Sequence, residues 1–172
     1  MVVQSSSIVE NGFIVFYSIV IFMNVLFVCT ANIVRSFMAE AVLKEKLKRK
    51  GRRDIAVSSA ALIDMKGKPA DPLAVKILKE NRIEGDAHIS KLLTDEMVVH
   101  ADLIVVMDES QKKQLSERYP EAEEKIRLLK SFIKGYQGFD SDIKDPYQLT
   151  VYHYRLCFAE ISMAVGAMLG VL

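Results

Sequence analysis

Val25-Leu-Phe-Val-Cys29-Thr-Ala-Asn-Ile-Val-Arg35-Ser36 is the stretch whose reading decides the fold. An apolar run ends at a cysteine, five residues follow, and an arginine and a serine come next. Directly behind them Phe37-Met-Ala-Glu-Ala-Val-Leu43 opens a helical pattern. A strand, a short loop and a helix start are the parts of an anion cradle. The loop amides, here those of Thr30, Ala31, Asn32, Ile33 and Val34, converge with the positive end of the helix dipole on one point. The field at the mouth of such a cradle favours a thiolate over a thiol and turns it toward a bound oxyanion. Arg35 adds a planar fork able to grip two phosphate oxygens.

Outward from that loop, apolar runs alternate with helical patterns. Residues 25–29, 55–59, 103–107 and 126–129 are apolar nearly throughout, which suits strands covered on both faces. Ala39, Val42, Leu43 and Leu47 form one stripe and predict a helix over 37–50, ended by Gly51. Asp71-Pro72 predicts a capped helix start, with Ala74, Ile77 and Leu78 turned inward. Shorter helices are expected over 94–100 and 109–119, and a long final one over 151–168. The alternation implies an α/β fold in three layers: a four-stranded parallel sheet, right-handed crossovers, helices on both faces and a phosphate-binding loop after the first strand. Ligands of such sheets bind beyond the carboxyl ends of the strands, where Cys29, Ser59 and Asp108 fall. Residues 136–147 read as a long loop, a length often tied to function.

The 172 residues are 51% apolar and 26% charged, with a net charge of +1. That balance suits one domain with its own core and implies no nucleic-acid partner. Cys29 and Cys157 make no disulfide framework, and a lone thiol in a reactive setting fits a reducing, cytoplasmic compartment. His88, His100 and His153 are scattered without ligand spacing, so neither a metal nor another cofactor is expected.

The run over 13–23 is strongly apolar, and residues 1–12 before it carry no Lys or Arg. A spanning helix needs about 20 apolar residues, more than this run holds before Asn24. Extending it would consume the strand that carries Cys29. A signal peptide would bring basic residues first and a small-residue cleavage site, and both are missing. Residues 1–22 are therefore read as a hydrophobic extension or a mis-assigned start in preference to a genuine membrane anchor, which stays the lesser alternative, and residues 23–172 as the domain; a membrane partner is not the expectation.

The Cys-x5-Arg-Ser loop resembles the signature of the low-molecular-weight protein tyrosine phosphatases. Pro69-Ala-Asp-Pro72, residues 92–96, Asp102-Leu-Ile-Val-Val-Met-Asp108 and Asp145-Pro-Tyr147 are similar to landmarks of that family and stand in its order. The likeness covers about residues 24–172. It implies a phosphomonoesterase whose partner is a phosphotyrosine-containing protein or a small aryl phosphate. Cys29 would attack phosphorus in line and carry a cysteinyl-phosphate. Arg35 would stabilise the charge on the equatorial oxygens. Ser36 has two readings, as a helix cap or as a hydroxyl donor to the Cys29 thiolate, and the resemblance implies the second. Asn32 tolerates the positive φ that a tight cradle needs, and the family ties it to a serine after the second strand, here Ser59. Asp145 reads as a turn residue before proline or as a general acid that later activates water; the resemblance implies the acid. Asp140 and Asp142 lie nearby without the Pro-aromatic context. Tyr147 resembles an aromatic wall of the cleft, and a packing role is equally open.

The chain departs from the family pattern at several places. Val34 stands where many relatives carry a second cysteine, so Cys29 would lack an adjacent resolving thiol. Ala31 replaces a glycine and Phe37 a proline, while Ser59-Ala-Ala-Leu62 and Ile89-Ser90 also differ. Three rival functions remain. An arsenate reductase relays oxidation through further cysteines, of which only Cys157 is present. Phosphoarginine specialists carry Thr where Ile33 stands. A silent phosphate-binding module would not require Cys29, Arg35 and Asp145 together.

Overall fold

The computed structural model describes residues 4–10, 13–19, 22–85, 87–135 and 141–172, the first two segments as backbone strands. Four parallel strands, β3 (Met23–Cys29), β4 (Ile55–Ala61), β5 (Leu103–Val106) and β6 (Ile126–Leu128), lie in the order β4-β3-β5-β6. Between and after them come α1 (Arg35–Arg49), α2 (Pro72–Glu80), α3 (Asp95–His100), α4 (Glu109–Arg118) and α5 (Val151–Leu169). The α/β fold, the four-stranded parallel sheet and the position of the loop behind its first strand agree with the sequence reading. A feature not anticipated is a separate antiparallel pair, β1 (Gln4–Glu10) with β2 (Phe13–Ile19), in register from Gln4 opposite Ile19 to Glu10 opposite Phe13. A usable signal existed: Asn11-Gly12 between the two runs is the dipeptide favoured by two-residue hairpins.

The central strand explains the two-sided core. Side chains alternate across a strand, so Val25, Phe27 and Cys29 face one layer and Leu26 and Val28 the other. The first layer joins Phe27 and Val105 to Met38, Leu43, Ile77, Tyr154 and Ile161, from α1, α2 and α5. The second joins Leu26, Val28, Ile104 and Val106 to Val98 and Leu115, from α3 and α4. Residues 25–28 are all at most 2% exposed, which is why the run shows no polar alternation.

Local signals set the helix boundaries. The Asp71 carboxylate accepts from the amides of Leu73 (2.9 Å) and Ala74 (3.3 Å), with Pro72 in the first turn. Thr94 and Asp108 cap α3 and α4 in the same way. Gly51, at φ 64°, lets the chain leave α1 while Arg52 N–H returns to the Leu47 carbonyl at 3.0 Å. α1 begins differently: Val34 precedes it, no side chain caps it, and its first turn holds no acid. Its positive end is left open toward the loop that leads into it.

β3 pairs with β4 on one side and with β5 on the other, so the strand order reverses at β3. The crevice at the carboxyl ends of β3 and β5 is where such sheets bind ligands. Cys29 ends one of these strands, and Met107 and Asp108 follow the other.

Leu43 is fully buried and Val99 is 71% exposed. Leu43→Ala should lower the urea unfolding free energy by about 2–5 kcal/mol, whereas Val99→Ala should stay within about 0.5 kcal/mol.

Candidate active site

The loop after β3 wraps around the Cys29 sulfur. Sγ lies 3.0 Å from Ser36 Oγ and accepts the Asn32 amide at 3.3 Å. Asn32 has φ 52°, the left-handed conformation that asparagine tolerates better than most residues. Its side-chain amide donates to Ser36 Oγ at 2.9 Å and to Ser59 Oγ at 2.7 Å. Its Oδ1 accepts from the Lys91 amide at 3.1 Å, and its carbonyl accepts His88 Nε2–H at 2.7 Å. Ser36 Oγ accepts from Asn32 and lies within hydrogen-bond reach of Cys29 Sγ, a contact in which either group can donate. The serine side chain meets the Cys29 sulfur and does not cap α1, which has no side-chain cap.

More of the chain pins the loop. Ser90 Oγ donates to the Ala31 carbonyl at 2.8 Å, Ile63 N–H to the Thr30 carbonyl, and Asp71 N–H to the Ile33 carbonyl. Gln111 Nε2 reaches Thr30 Oγ1 at 3.3 Å. With the carbonyls tied back, the amides of Ile33, Val34 and Arg35 have no acceptor among the described residues. They stand at the open end of α1, the arrangement that binds an anion.

Arg35 is 4% exposed, not a surface arginine. Its Nη1 donates to Asp108 Oδ2 at 2.7 Å and to the Ile143 carbonyl at 3.2 Å; its Nη2 donates to Asp145 Oδ2 at 2.7 Å. Burial alone would lower its pKa, but Asp145, Cys29 and Asp108 outweigh burial and raise it above the ordinary arginine value. Its Nε is buried without a partner. A buried N–H on a cation beside a thiol is a donor waiting for an anion.

Asp145 sits at the rim, its side chain 44% exposed and its Oδ1 accepting the Tyr147 amide at 3.1 Å. The turn contact and the ion pair to Arg35 thus coexist in one side chain. Asp142 is engaged elsewhere, accepting from Glu109 N–H and Ser141 Oγ, and Asp140 lies outside the described residues. Tyr147 is 39% exposed, and Lys68 Nζ is 5.7 Å from its ring centroid and 3.4 Å from its hydroxyl. It is an exposed residue, not a core residue.

The structure also recruits residues that the sequence reading passed over or named only by position. Asp108, marked as lying at a strand end, anchors Arg35 as well as capping α4. Gln111 joins α4 to the loop, and Glu40 accepts from Ser59 Oγ. His88 supports Asn32 and stacks on Phe37 with centroids 4.4 Å apart; its partly buried ring is held below the usual histidine pKa by desolvation. Phe37, where the family pattern has proline, needs Gly85: a Cβ there would come within 2.7 Å of the Phe37 ring. Apart from the Asp108 cap, none of these contacts has a local sequence signal, because each joins residues far apart in the chain.

A family model described as low molecular weight phosphotyrosine protein phosphatase matches residues 24–172. The chain is 36% identical to a probable low molecular weight protein-tyrosine-phosphatase, EpsP, of Ralstonia nicotianae over 134 residues, 77% of this chain and 85% of that one. It is also 36% identical to a protein-arginine-phosphatase of Geobacillus stearothermophilus over 141 residues, covering 82% and 90%. Among solved structures, a low molecular weight protein tyrosine phosphatase from T. tengcongensis superposes with a TM-score of 0.80 at 36% identity, covering 87% of this chain and 99% of that one. The chain belongs to the low molecular weight phosphotyrosine protein phosphatase family and is a phosphoric monoester hydrolase.

Two outcomes follow from this geometry. Asn32→Ala removes the side-chain bonds and strains the φ of 52°, so kcat on an aryl phosphate should fall about 10²-fold through loss of loop position. Asn32→Gly should recover only the backbone share. Cys157 is buried and its thiol pushed up to about 12, chiefly by desolvation. Iodoacetamide at neutral pH should therefore modify the native protein once, at Cys29, and intact mass should be the same pattern for Cys157→Ser.

Proposed function

We propose that this chain hydrolyses phosphotyrosine and other aryl phosphate monoesters through a cysteinyl-phosphate, with Cys29, Arg35 and Asp145 as its catalytic residues. The phosphoryl oxygens sit on the amides of the 30–35 loop and on the Arg35 Nε–H, which has no protein partner. Cys29 Sγ attacks phosphorus; the S–P bond forms as the P–O bond to the aryl group breaks. Asp145 delivers its proton to the departing oxygen. An incoming phosphoryl group competes for Arg35, freeing Asp145 from its ion pair to hold that proton. In the second step Asp145 takes a proton from water, the new O–P bond forms and the S–P bond breaks. The Ser36 hydroxyl, 3.0 Å from Sγ, stabilises the returning thiolate and makes it a better leaving group.

The observation that carries this reading is the sulfur held between the Ser36 hydroxyl and the Asn32 amide, inside a loop that ends at a buried arginine. The aryl preference rests on Ile33, which offers no polar side chain to a guanidinium, and on Tyr147 at the mouth. A phosphoarginine substrate is the second reading, favoured by the relatives named protein-arginine-phosphatase. Among the described residues no helix is long and apolar enough to cross a membrane. A reducing cytoplasm, where Cys29 stays a thiol without a neighbouring cysteine, is the setting we propose.

Cys29→Ser should abolish turnover, and Asp145→Asn should lower kcat on a phosphotyrosine peptide about 10²–10⁴-fold. Activity retained in Cys29→Ser would overturn the mechanism. A higher kcat/KM on phosphoarginine than on phosphotyrosine peptides would overturn the substrate. Vanadate binding without turnover would assign the chain to the silent class.

A further inference from the structure

The end of the domain opposite Cys29 carries a concentration of positive charge that catalysis does not use. Ile55 pairs with Met23 and Ala61 with Cys29, so the start of β4 lies a full strand away from the thiol, about 20 Å. Around it, residues 44–53 hold seven basic side chains against one acid, Glu45, in a chain whose total is only +1. The remainder of the protein is therefore net acidic, and the charge is polarised to one pole.

Ion pairing absorbs part of this charge, in Lys44–Glu40, Arg49–Glu45 and Arg52–Asp54. Lys48, Lys50 and Arg53 are exposed and have no acidic partner among the described residues. The α1 dipole accounts for Lys46, Lys48 and Arg49 in the last turn. It does not reach Arg53, which lies beyond Gly51. A groove of about 370 Å³ opens between Lys44, Lys48, Arg52 and Arg53 over a floor of Leu47 and Ile55.

Apolar side chains stand exposed at the same pole. Met23 N–H donates to the Asp54 carbonyl at 2.9 Å, which places Phe22, 58% exposed, beside the cluster. Arg52 Nη2 donates to the Leu172 carbonyl at 3.4 Å, which places Val171, 68% exposed, near it as well. The sequence leading into Phe22 is apolar from Phe13 onward. β1 and β2 form a two-stranded pair outside the main sheet, and such a pair is marginal in water by itself.

We propose that this pole docks on the surface of an anionic lipid bilayer, with Lys48, Lys50 and Arg53 against the phosphates and Phe22 and Val171 at the acyl boundary. Apolar contact area and attraction of cations to anionic lipid are the two contributions with which interfacial binding scales. A nucleic acid would use the cations and leave Phe22 and Val171 without a place. The length argument against a membrane concerns a spanning helix and does not touch this contact. Docked so, the catalytic loop faces away from the lipid, open to phosphoproteins in solution.

The test is flotation of the full chain with phosphatidylcholine vesicles, pure or containing about 30% phosphatidylserine, a composition chosen for its negative surface potential. Binding should require phosphatidylserine and weaken as salt rises. Lys48→Gln/Lys50→Gln/Arg53→Gln should weaken it roughly 100-fold, at about fivefold per charge, while kcat/KM on an aryl phosphate stays unchanged. Phe22→Ser should weaken binding and leave its salt dependence in place. No binding, equal binding to pure phosphatidylcholine, an unaffected triple variant, or tighter binding to duplex DNA than to the charged vesicles would each overturn the proposal.

Discussion

The cradle depends on one buried side chain, Asn32. It is fully enclosed, sits in a left-handed backbone conformation, and still satisfies every polar atom it carries. Its amide group spans from the loop to Ser59 on β4 and its oxygen to the chain at Lys91, so one residue ties the loop to two neighbouring segments. A buried amide with a missing partner would cost about 1–3 kcal/mol, and that penalty holds the loop in one shape. The shape turns the carbonyls of Thr30, Ala31 and Ile33 outward to other donors and leaves the later amides facing the crevice. Without it the thiol would end an ordinary core strand.

The second constraint is charge. Arg35 is almost wholly removed from water, a state that is costly unless partners compensate it. Asp108 and Asp145 supply that compensation from opposite sides, and Cys29 adds to it. The two carboxylates are not equivalent. Asp108 is fixed by its helix-capping bond and is only 18% exposed; Asp145 is at the rim and open to solvent. One is suited to hold the guanidinium permanently and the other to let go of it. The proposed division between a positioning residue and a proton carrier rests on this asymmetry.

Much of the fold was legible because its signals are local. The two inner strand runs are covered on both faces and read as unbroken apolar stretches, whereas the edge strands β4 and β6 expose Ala56, Ser58 and Arg127, so their runs are interrupted by polar residues. Asp71-Pro72, Thr94, Asp108 and Gly51 mark helix ends through bonds to residues two to five positions away. The antiparallel pair β1–β2 is harder to read, because an apolar run at an amino end suits a span or a leader as well as a strand, and Asn11-Gly12 is the one local mark of a hairpin there. In the site, Cys29, Arg35 and Ser36 share one short segment and could be read together, whereas Asp108, Gln111, His88 and Glu40 could not.

What the sequence by itself determined is the chemistry on offer: a thiol, a guanidinium and a carboxylate before proline, with a loop between a strand and a helix to hold an anion. Those properties follow from residue type and near-neighbour spacing. Only the tertiary structure decided that Ser36 meets the Cys29 sulfur instead of capping α1, and that Arg35 pairs with both Asp145 and Asp108. Hydrogen-bond direction and ion pairing depend on separations of a few ångströms between residues dozens of positions apart, and these exist only once the parallel sheet has brought the strand ends together.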